Sequence, residues 1–493
     1  MNKKNLIIIS AGLLLVAVLA VLYLVFASQP EVPDGPDAEN IGKTENGGAS
    51  GDSFGTGSRV FSVPDEKSIE SVNVFKSGNE AYEIYRNKDI DSLLIREYEH
   101  FSYSNDFSQI LSGVSTLTVT GEITDPLDDK EYGIAGMDSP YVITVSSSSG
   151  ITETLYVGGE MLTGSGYYCK KEGEDGIYTI GPVASHFFKE TYSLLSPLLA
   201  NPLEASRYHY TEDFQLFCGL SEAVHIVFVP EAERDGGDVY GYYKMIYPGE
   251  YTPSDINYDS ILKMLITPTA STIVTTDLSD ENLIKYGFMD AEGNPSPSYE
   301  LRYTLDGETR IIYFGTKTDD GLIYVLSPAF GFIGLAAVEN HFPFLEWDLI
   351  KYINPYLFGI NINYVARVNV SGRGFSDTYL LSGKKDELTV KNQQSGAEID
   401  TQNFRQFYRV LLMTGMEGYA DSKSTDDWML SFTVETTGGK IYEYKFYRIS
   451  TRRCYYTVNG EGEFYVNVDA VEKILSDAAK LAEGTEINAD SKI

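Results

Sequence analysis

The chain has few of the residues that carry chemistry: three cysteines, five histidines and two tryptophans among 493 residues. Cys169, Cys218 and Cys454 lie far apart without a CxxC spacing, and the histidines have no metal-ligand spacing. The sequence therefore predicts no zinc site, no dithiol redox motif and no cofactor. We interpret the cysteines as small buried side chains, with a Cys169–Cys218 disulfide as the alternative.

Catalytic motifs are scarce as well. HExxH, GxSxG, the phosphate-binding P-loop and the Rossmann glycine pattern do not occur. Ser260 and Lys263 form an SxxK, but the companion motifs of penicillin-binding proteins occur in the reverse order. Asp255 opens a calcium-like loop whose sixth residue is Ser260 rather than glycine. We interpret these residues as the polar start and exposed face of one helix, predict no catalytic residue, and rank an enzyme third.

Positive charge is also in short supply, because 38 Lys and Arg face 71 Asp and Glu, for a formal net charge of −33. Nucleic-acid binding needs a basic surface that displaces phosphate counterions, so this class of partner is excluded. Attraction of cations or of a basic partner is one interpretation of the acidity. The simpler one, which we favour, is the solubility of an exported chain.

One apolar run stands at the N-terminus. Residues 6–27 follow Lys3 and Lys4 and are long enough, at about 1.5 Å per residue, to cross a hydrocarbon core of about 30 Å. They predict a single-pass anchor over residues 1–28, with a cytoplasmic N-terminus and the bulk of the chain extracytoplasmic at the cell membrane. A cleaved signal peptide is the alternative.

A polar stretch follows the anchor. Residues 29–58 consist mostly of Pro, Gly, Asp, Glu, Ser and Asn, and cannot bury enough apolar surface to offset the entropy lost on folding. This stretch is predicted to be a disordered linker that reaches roughly 30 Å. A partner in the membrane is therefore within reach.

One pattern of residues occurs twice and organises the remaining chain. Adjacent Tyr and Gly are followed by a Pro, by a Gly ten residues after that Pro, and by another Gly eight residues later. Glycines at fixed offsets are typical of turns between strands, so each copy predicts a β-hairpin. The marks are Tyr132, Gly133, Pro140, Gly150 and Gly158 in the first copy, and Tyr286, Gly287, Pro297, Gly307 and Gly315 in the second.

A third copy lacks these marks but keeps the wider pattern. Strands at 72–74, 224–226 and 368–370 each precede a helix-opening aromatic residue by 34 to 36 residues. On each helix apolar residues recur at i, i+3 and i+7, which predicts one buried stripe. The stripes are Phe107, Ile110 and Val114; Tyr258, Ile261 and Leu265; and Phe404, Phe407 and Leu411.

The copies predict the fold class: α+β, with three tandem, mainly antiparallel units that each pack helices on one face of a sheet. The second unit is predicted to lack one strand, because Leu322 follows Gly315 closely, and the apolar run 326–338 is predicted to be core. The units are residues 69–196, 224–350 and, in divergent form, 362–482.

Tyrosine is abundant, with 37 residues. Aromatic side chains on strands stack on sugars or peptides, but tyrosine also packs well on a half-buried sheet, which we favour here. The clusters at 208–210 and 240–243 are the first candidates for a ligand groove. His225, aligned with Asn73 and Asn369 of the other copies, is interpreted as a surface residue of a strand.

Turn glycines and strand aromatics in the first unit carry a resemblance to a known family. They are Tyr132-Gly133-Ile134, Ser139-Pro140, Gly150, Leu155-Tyr156-Val157-Gly158, Gly166-Tyr167-Tyr168 and Ile177-Tyr178. Together with Lys285-Tyr286-Gly287 and the strand ending at Tyr247-Pro248, they resemble the bacterial domain-of-unknown-function family 4340. Met245 stands where that family has Trp, and the third unit matches only in outline. The resemblance implies architecture, an N-terminal anchor and association with an ABC-type export system that has gliding-motility-like auxiliary subunits.

The function predicted from the sequence is that of a non-catalytic, membrane-anchored extracytoplasmic accessory or scaffold protein. Its expected partner is a membrane transporter or an auxiliary membrane protein, reached through sheet edges and grooves between units. The alternative is an independent envelope-binding module for wall glycan or peptide.

The anchor prediction is testable by reporter fusion. A reporter that is active only outside the cytoplasm should work when fused after residue 58 and fail when fused at residue 4, because the apolar run separates the two sites. The full chain should also remain with membranes after washing at high salt. Release of a soluble form that starts near Ser28 would instead establish cleavage.

Overall fold

Antiparallel strands dominate the fold. The computed structural model describes residues 54–204, 211–230 and 243–491. The strands form three sheets with helices against them, which confirms a mainly antiparallel α+β class. Across these described ranges, no helix is both long and apolar enough to cross a bilayer.

The first sheet has eight strands, paired in the order β3-β2-β1-β5-β6-β7-β8-β4. Burial alternates along the central strand, where Val72 and Val74 are fully buried, as expected for a sheet with one face on the core. The strands are β1 (Ile69–Lys76), β2 (Asn79–Asn87), β3 (Ser92–Ile95), β4 (Val119–Glu122), β5 (Tyr141–Ser147), β6 (Thr152–Glu160), β7 (Tyr167–Lys171) and β8 (Tyr178–Ile180).

The second sheet repeats this order as β11-β10-β9-β13-β14-β15-β16-β12. Its strands are β9 (Thr211–Cys218), β10 (Ser221–Phe228), β11 (Tyr243–Tyr247), β12 (Thr272–Thr275), β13 (Tyr299–Leu305), β14 (Glu308–Lys317), β15 (Leu322–Ser327) and β16 (Phe332–Ala337).

The third sheet adds one short edge strand to the same order, β20-β19-β18-β17-β22-β23-β24-β25-β21. Each sheet therefore places a long hairpin beside its central strand. The strands are β17 (Val365–Gly372), β18 (Phe375–Ser382), β19 (Thr389–Asn392), β20 (Glu398–Ile399), β21 (Gly418–Tyr419), β22 (Trp428–Thr436), β23 (Ile441–Arg448), β24 (Arg453–Val458) and β25 (Phe464–Asn467).

The three predicted helical stripes are confirmed, since all nine of their residues are buried. Ser104, Ser254 and Asp400 cap the helices that carry them by accepting from backbone N–H groups of the first turn. The α-helices are α1 (Asn105–Thr116), α2 (Asp255–Met264), α3 (Asp280–Lys285), α4 (Val338–His341), α5 (Leu349–Tyr352), α6 (Thr401–Leu412) and α7 (Val468–Glu483). The 3-10 helices are Glu66–Ser68, Asp129–Tyr132, Gly136–Asp138, Pro182–Phe188, Thr191–Leu194, Pro343–Glu346, Ile362–Tyr364 and Lys385–Glu387.

The second sheet starts one strand earlier than the alignment of the copies predicted. Residues 224–226 lie on β10, the neighbour of the central strand, and β9 holds the central place. Gln215 on β9, rather than His225, is therefore the equivalent of Asn73 and Asn369. The prediction was wrong because β9 and β10 both alternate apolar and polar residues, and the Val-x-Ile of β10 resembles the other copies more closely.

The predicted loss of a strand in the second unit is also wrong. Residues 326–338, correctly predicted to be core, form the end of β15 and all of β16. Phe332 joins the main hydrophobic core, whereas Ile333 joins a small cluster on the opposite face. A strand buried on both faces has a continuous apolar sequence. Because the polar residues that mark a half-buried strand are missing, the pattern did not predict β16.

The predicted linker, residues 29–58, ends too late. Gly57 donates its backbone N–H to Val119 of β4 at 2.8 Å, and the Phe54 ring packs edge-on against Tyr178 at 4.8 Å. A single aromatic residue within a Gly- and Ser-rich stretch does not change its composition enough to be recognised. Residues before Phe54, which include the predicted anchor, lie outside the described residues.

The sheets are joined by direct contacts rather than by linkers. Buried side chains of all three belong to one contiguous hydrophobic core. Between the first and second sheets, Leu199 donates its N–H to Pro268 O at 2.8 Å. Between the second and third, the Tyr251 and Phe464 rings lie 6.0 Å apart. The three units therefore fold as one body.

Candidate functional site

Two of the predicted marks are turn glycines, as expected. Gly150 and Gly307 have φ values of +86° and +74° and connect the strands of the first two hairpins. Pro140 directly precedes the first hairpin, whereas one residue separates Pro297 from the second. The Pro-to-Gly interval is nevertheless ten residues in both copies. The extra residue of the second copy compensates for the shorter turn between its two strands.

Gly158 and Gly315 do not lie in turns, and the prediction of a turn there is wrong. Both lie inside strands, and neither has a positive φ. A Cβ on Gly158 would overlap the Tyr132 carbonyl oxygen, and a Cβ on Gly315 would overlap that of Tyr286. Glycine is required because another stretch of backbone passes directly over the strand.

These passing stretches, which we call crossing segments, are residues 123–140 and 276–298. Each leaves the edge strand β4 or β12 and returns over the outer face of the sheet to the central hairpin. The path crosses four strand spacings of about 4.8 Å, or roughly 19 Å. Segments of 18 and 23 residues span this distance with enough slack to cover the face.

The remaining marks hold the crossing segments in place. Gly133 and Gly287 turn the chain with φ values of +72° and +82°. The tyrosine before each glycine lays its ring against a sheet tyrosine: Tyr132 on Tyr168 at 5.0 Å, and Tyr286 on Tyr324 at 4.6 Å.

In the third sheet this connection, residues 420–427, has only eight residues. An extended chain of eight residues spans about 26 Å, which reaches across the sheet but leaves no slack to cover its face. Asp421 pairs with Arg453 at the start of β24, and Asp427 pairs with Arg373 beyond the end of β17. The connection therefore runs past the ends of the strands.

Strand register shows what replaces the crossing glycine in the third sheet. In each sheet one hairpin pair lies opposite the last residue of the central strand. These pairs are Tyr141 with Val157, Tyr299 with Phe314, and Leu430 with Phe446. The residue that comes directly after the second residue of each pair is Gly158 in the first sheet, Gly315 in the second and Tyr447 in the third. A side chain therefore stands in the third sheet where backbone crosses the other two.

Tyr447 belongs to a line of four aromatic residues, which we call the aromatic row. Trp428, Tyr447, Tyr455 and Tyr465 are successive cross-strand partners on β22, β23, β24 and β25. Directly paired residues share one face of a sheet, and Phe446 beside Tyr447 is buried on the helix-covered face. The aromatic row therefore lies on the outer face.

The aromatic row is ordered at its centre and accessible around it. The rings of Tyr447 and Tyr455 stack at 6.3 Å, and the Tyr455 hydroxyl donates to Gly462 O at 3.1 Å. Burial raises the pKa of Tyr455. Trp428, Tyr447 and Tyr465 remain partly exposed, and the Arg453 guanidinium lies 4.5 Å from the centre of the Tyr465 ring.

The partial catalytic matches do not assemble into a site. The Ser260 hydroxyl donates to Ile256 O at 2.8 Å, and Lys263 pairs with Asp259 at 2.6 Å, so each binds its own helix. Asp255 lies in the first turn of the same helix, and burial raises its pKa. Within the described residues, no group of three His, Cys, Asp or Glu is placed to hold a metal ion.

The cysteines differ in part from the prediction. Cys169 and Cys454 are buried as expected, but Cys218 is exposed at the end of β9. All three are free thiols, so the alternative of a Cys169–Cys218 disulfide is wrong. Burial raises the pKa of Cys169 to about 12 and that of Cys454 to about 11.

The sequence contained a signal for the aromatic row that was missed. Tyr455 is equivalent to Tyr168 and Tyr324. Each of these tyrosines comes directly before the residue that pairs with the buried Val157, Phe314 or Phe446 of the adjacent strand. The short spacing between Tyr419 and Trp428 would have revealed the lost crossing segment. Of the tyrosine clusters at 208–210 and 240–243, only Tyr243 lies within the described residues. It begins β11, and its ring packs edge-on against Tyr258 at 4.9 Å.

Over the described residues, the chain is a mainly antiparallel protein of three sheets with the same core strand order, and no described segment crosses the outer face of the third sheet. No family model, no curated protein and no solved structure matches the chain.

Replacement of the crossing glycines should weaken the fold. Gly158→Ala and Gly315→Ala should each lower the free energy of unfolding by about 1–3 kcal/mol, because the new methyl group forces the crossing backbone off the strand. Chemical denaturation of the chain from Phe54 onward measures this loss. Gly159→Ala is the matched control: it lies on the same strand, and its Cβ would stand 3.7 Å from the Tyr132 oxygen. A control as damaging as Gly158→Ala would contradict close approach as the cause.

Thiol labelling should distinguish the three cysteines. A chromogenic thiol reagent at neutral pH should modify one cysteine of the native protein, Cys218, and three after unfolding, because the other two are buried and protonated. Cys218→Ser should abolish the native reaction. Rapid modification of two or three thiols in the native state would show the described burial to be wrong.

Proposed function

We propose that this protein is a non-catalytic, membrane-anchored extracytoplasmic accessory or scaffold protein that docks on a membrane transporter or its auxiliary subunit. The observation that carries this proposal is the aromatic row on the outer face of the third sheet, a face that no described segment of the chain crosses. The N-terminal transmembrane anchor, the linker and the three unit boundaries remain part of the proposal.

The composition of this face is that of an interaction surface. Trp, Tyr and Arg dominate the energetics of protein interfaces, whereas Lys, Glu and Asp are depleted at their centres. The face supplies three partly exposed aromatic residues, Trp428, Tyr447 and Tyr465, together with Arg453. Tyr455 is buried among them, and the three neighbouring rings that keep part of their surface in solvent favour an interaction site on this face.

The distribution of charge also favours the third unit as the docking unit. Residues 54–361 contain 19 Lys and Arg against 46 Asp and Glu, whereas residues 362–493 contain 16 against 19. The net charges are −27 and −3. An acidic partner therefore meets strong repulsion over the first two units and little over the third.

The resemblance to family 4340 supports the kind of partner. Proteins of that family have an N-terminal anchor and accompany ABC-type, gliding-motility-like export systems, so we place this chain beside such a system. An anchor over residues 1–28 would confine the protein and its partner to one membrane surface. Confinement raises their effective concentration and lets a modest interface hold them together.

A second candidate is an envelope-binding module for wall glycan or peptide. The observation that favours it is the same row of aromatic rings, since rings on a sheet face also stack on sugars. Under this alternative the partner would be a wall fragment rather than a membrane protein. Binding of soluble wall fragments to the purified protein would support it.

Purification from mild-detergent membranes tests the preferred function. A polytopic transporter subunit should accompany the full-length protein in a near-fixed ratio. A truncated chain that begins at Phe54 should keep its fold, since residues from Phe54 onward form one compact unit, and should bind the same subunit more weakly because membrane confinement is lost.

The control for this experiment is the double variant Ser260→Ala and Lys263→Ala, which alters an exposed helix face and should leave the association intact. Two outcomes would contradict the proposed function. One is recovery of the protein alone; the other is hydrolysis of a wall-derived substrate that disappears in the double variant.

A further inference from the structure

The outer faces of the first two sheets are completed by segments of the same chain. In each, a crossing segment lays a tyrosine ring on the equivalent sheet tyrosine. The third sheet keeps that sheet tyrosine as Tyr455 but has only eight residues in the corresponding connection. We propose that a polypeptide segment of the partner protein crosses this face in trans, with Trp428, Tyr447 and Tyr465 as its anchors. This inference rests on the proposed docking function.

The crossing segments of the first two sheets show what chemistry these faces accept. Besides the ring contacts, Lys170 of β7 binds Asp129 of the first segment at 2.9 Å. Both faces therefore accept an aromatic ring of the crossing polypeptide, and the first face adds a charged contact. The third face offers the same combination through its aromatic row and Arg453.

The partner segment cannot repeat the path of the crossing segments. Their backbone passes directly over Gly158 and Gly315, and the Tyr447 side chain occupies that position in the third sheet. The segment must therefore lie on the ring edges of the aromatic row. Its expected chemistry is an aromatic or aliphatic anchor residue, with a carboxylate or carbonyl oxygen that accepts from Arg453 or Arg373. These side chains pair with Asp421 and Asp427 and still remain 41% and 69% exposed.

A second copy of this chain is a poorer occupant. Each copy has a net charge of −27 over residues 54–361, so two copies brought together repel one another. A partner with fewer acidic groups avoids this repulsion. We therefore assign the uncovered face to a different protein and treat self-association and glycan binding as outcomes that the test must separate.

Site-specific photocrosslinking in native membranes tests the proposal. Benzoylphenylalanine in place of Trp428, Tyr447 or Tyr465 of the full chain should crosslink to one protein, and mass spectrometry should place the adducts within a single short segment that contains an aromatic or aliphatic residue. Benzoylphenylalanine in place of Tyr156 is the matched control. Tyr156 lies on the outer face of the first sheet, two residues before Gly158, and should give no adduct with that protein.

Three crosslinking outcomes would overturn the proposal: adducts with another copy of this chain, adducts with glycan or lipid only, and no adduct above the Tyr156 control. Adducts scattered over several unrelated proteins would also count against it. Each crossing segment follows one defined path over its sheet, and the proposal expects the same of a single partner segment.

Alanine variants give an independent measurement. Trp428→Ala and Tyr465→Ala should each lower the amount of co-purified partner about tenfold or more, as expected for anchor residues at an interface, whereas Tyr156→Ala should leave it unchanged. Thermal unfolding of each variant checks that the fold persists. If the variants co-purify with undiminished partner, this proposal fails while the docking function stands. If the unaltered protein recovers no partner, the docking function itself fails.

Discussion

Backbone crossing over a β-strand is the constraint on which much of this structure depends. A strand beneath a crossing chain has room for hydrogen atoms only, so Gly158 and Gly315 are fixed by the Tyr132 and Tyr286 carbonyl oxygens. The contact buries the outer face of the sheet as well as the inner one. Strands below it, such as β16, become apolar on both sides, as in a sheet packed between two layers.

Release from this constraint explains the divergence of the third sheet. Because the connection between β21 and β22 has only eight residues, no described crossing segment lies over β23, and the position equivalent to the crossing glycine holds Tyr447. The tyrosine then packs on Tyr455 and replaces the ring that the crossing segment supplied in the other sheets. Within the described residues, the same topology thus gives two outer faces crossed by the chain itself and a third that no segment crosses.

Sequence patterns predicted the elements governed by local periodicity. The helical stripes that begin at Phe107, Tyr258 and Phe404 and the three hairpins are confirmed, because one face of each is buried against a common core. Properties that depend on distant contacts were predicted poorly. Glycine spacing alone does not distinguish the turn at Gly150 from the close approach at Gly158, because the latter depends on a segment some 25 residues earlier.

The aromatic row was missed for the same reason. Tyr447 looks ordinary on an amphipathic strand, and only register against the central strands of all three sheets shows that it replaces a glycine. The start of the second sheet was misplaced because β9 and β10 have the same alternation of apolar and polar residues. The order in which strands pair across a sheet cannot be deduced from the sequence of one strand.

The attachment of residues 57–60 to β4 has a mechanical consequence. Gly57 and Val60 donate backbone hydrogen bonds to Val119 and Leu117, at 2.8 and 2.9 Å, and Phe61 is buried in the core just beyond. Tension applied through the chain before Phe54 reaches these bonds first and must then extract Phe61 before it loads β1. The first sheet thus acts as the force-bearing end of the molecule, and the third sheet lies farthest along the chain from the point where the force enters.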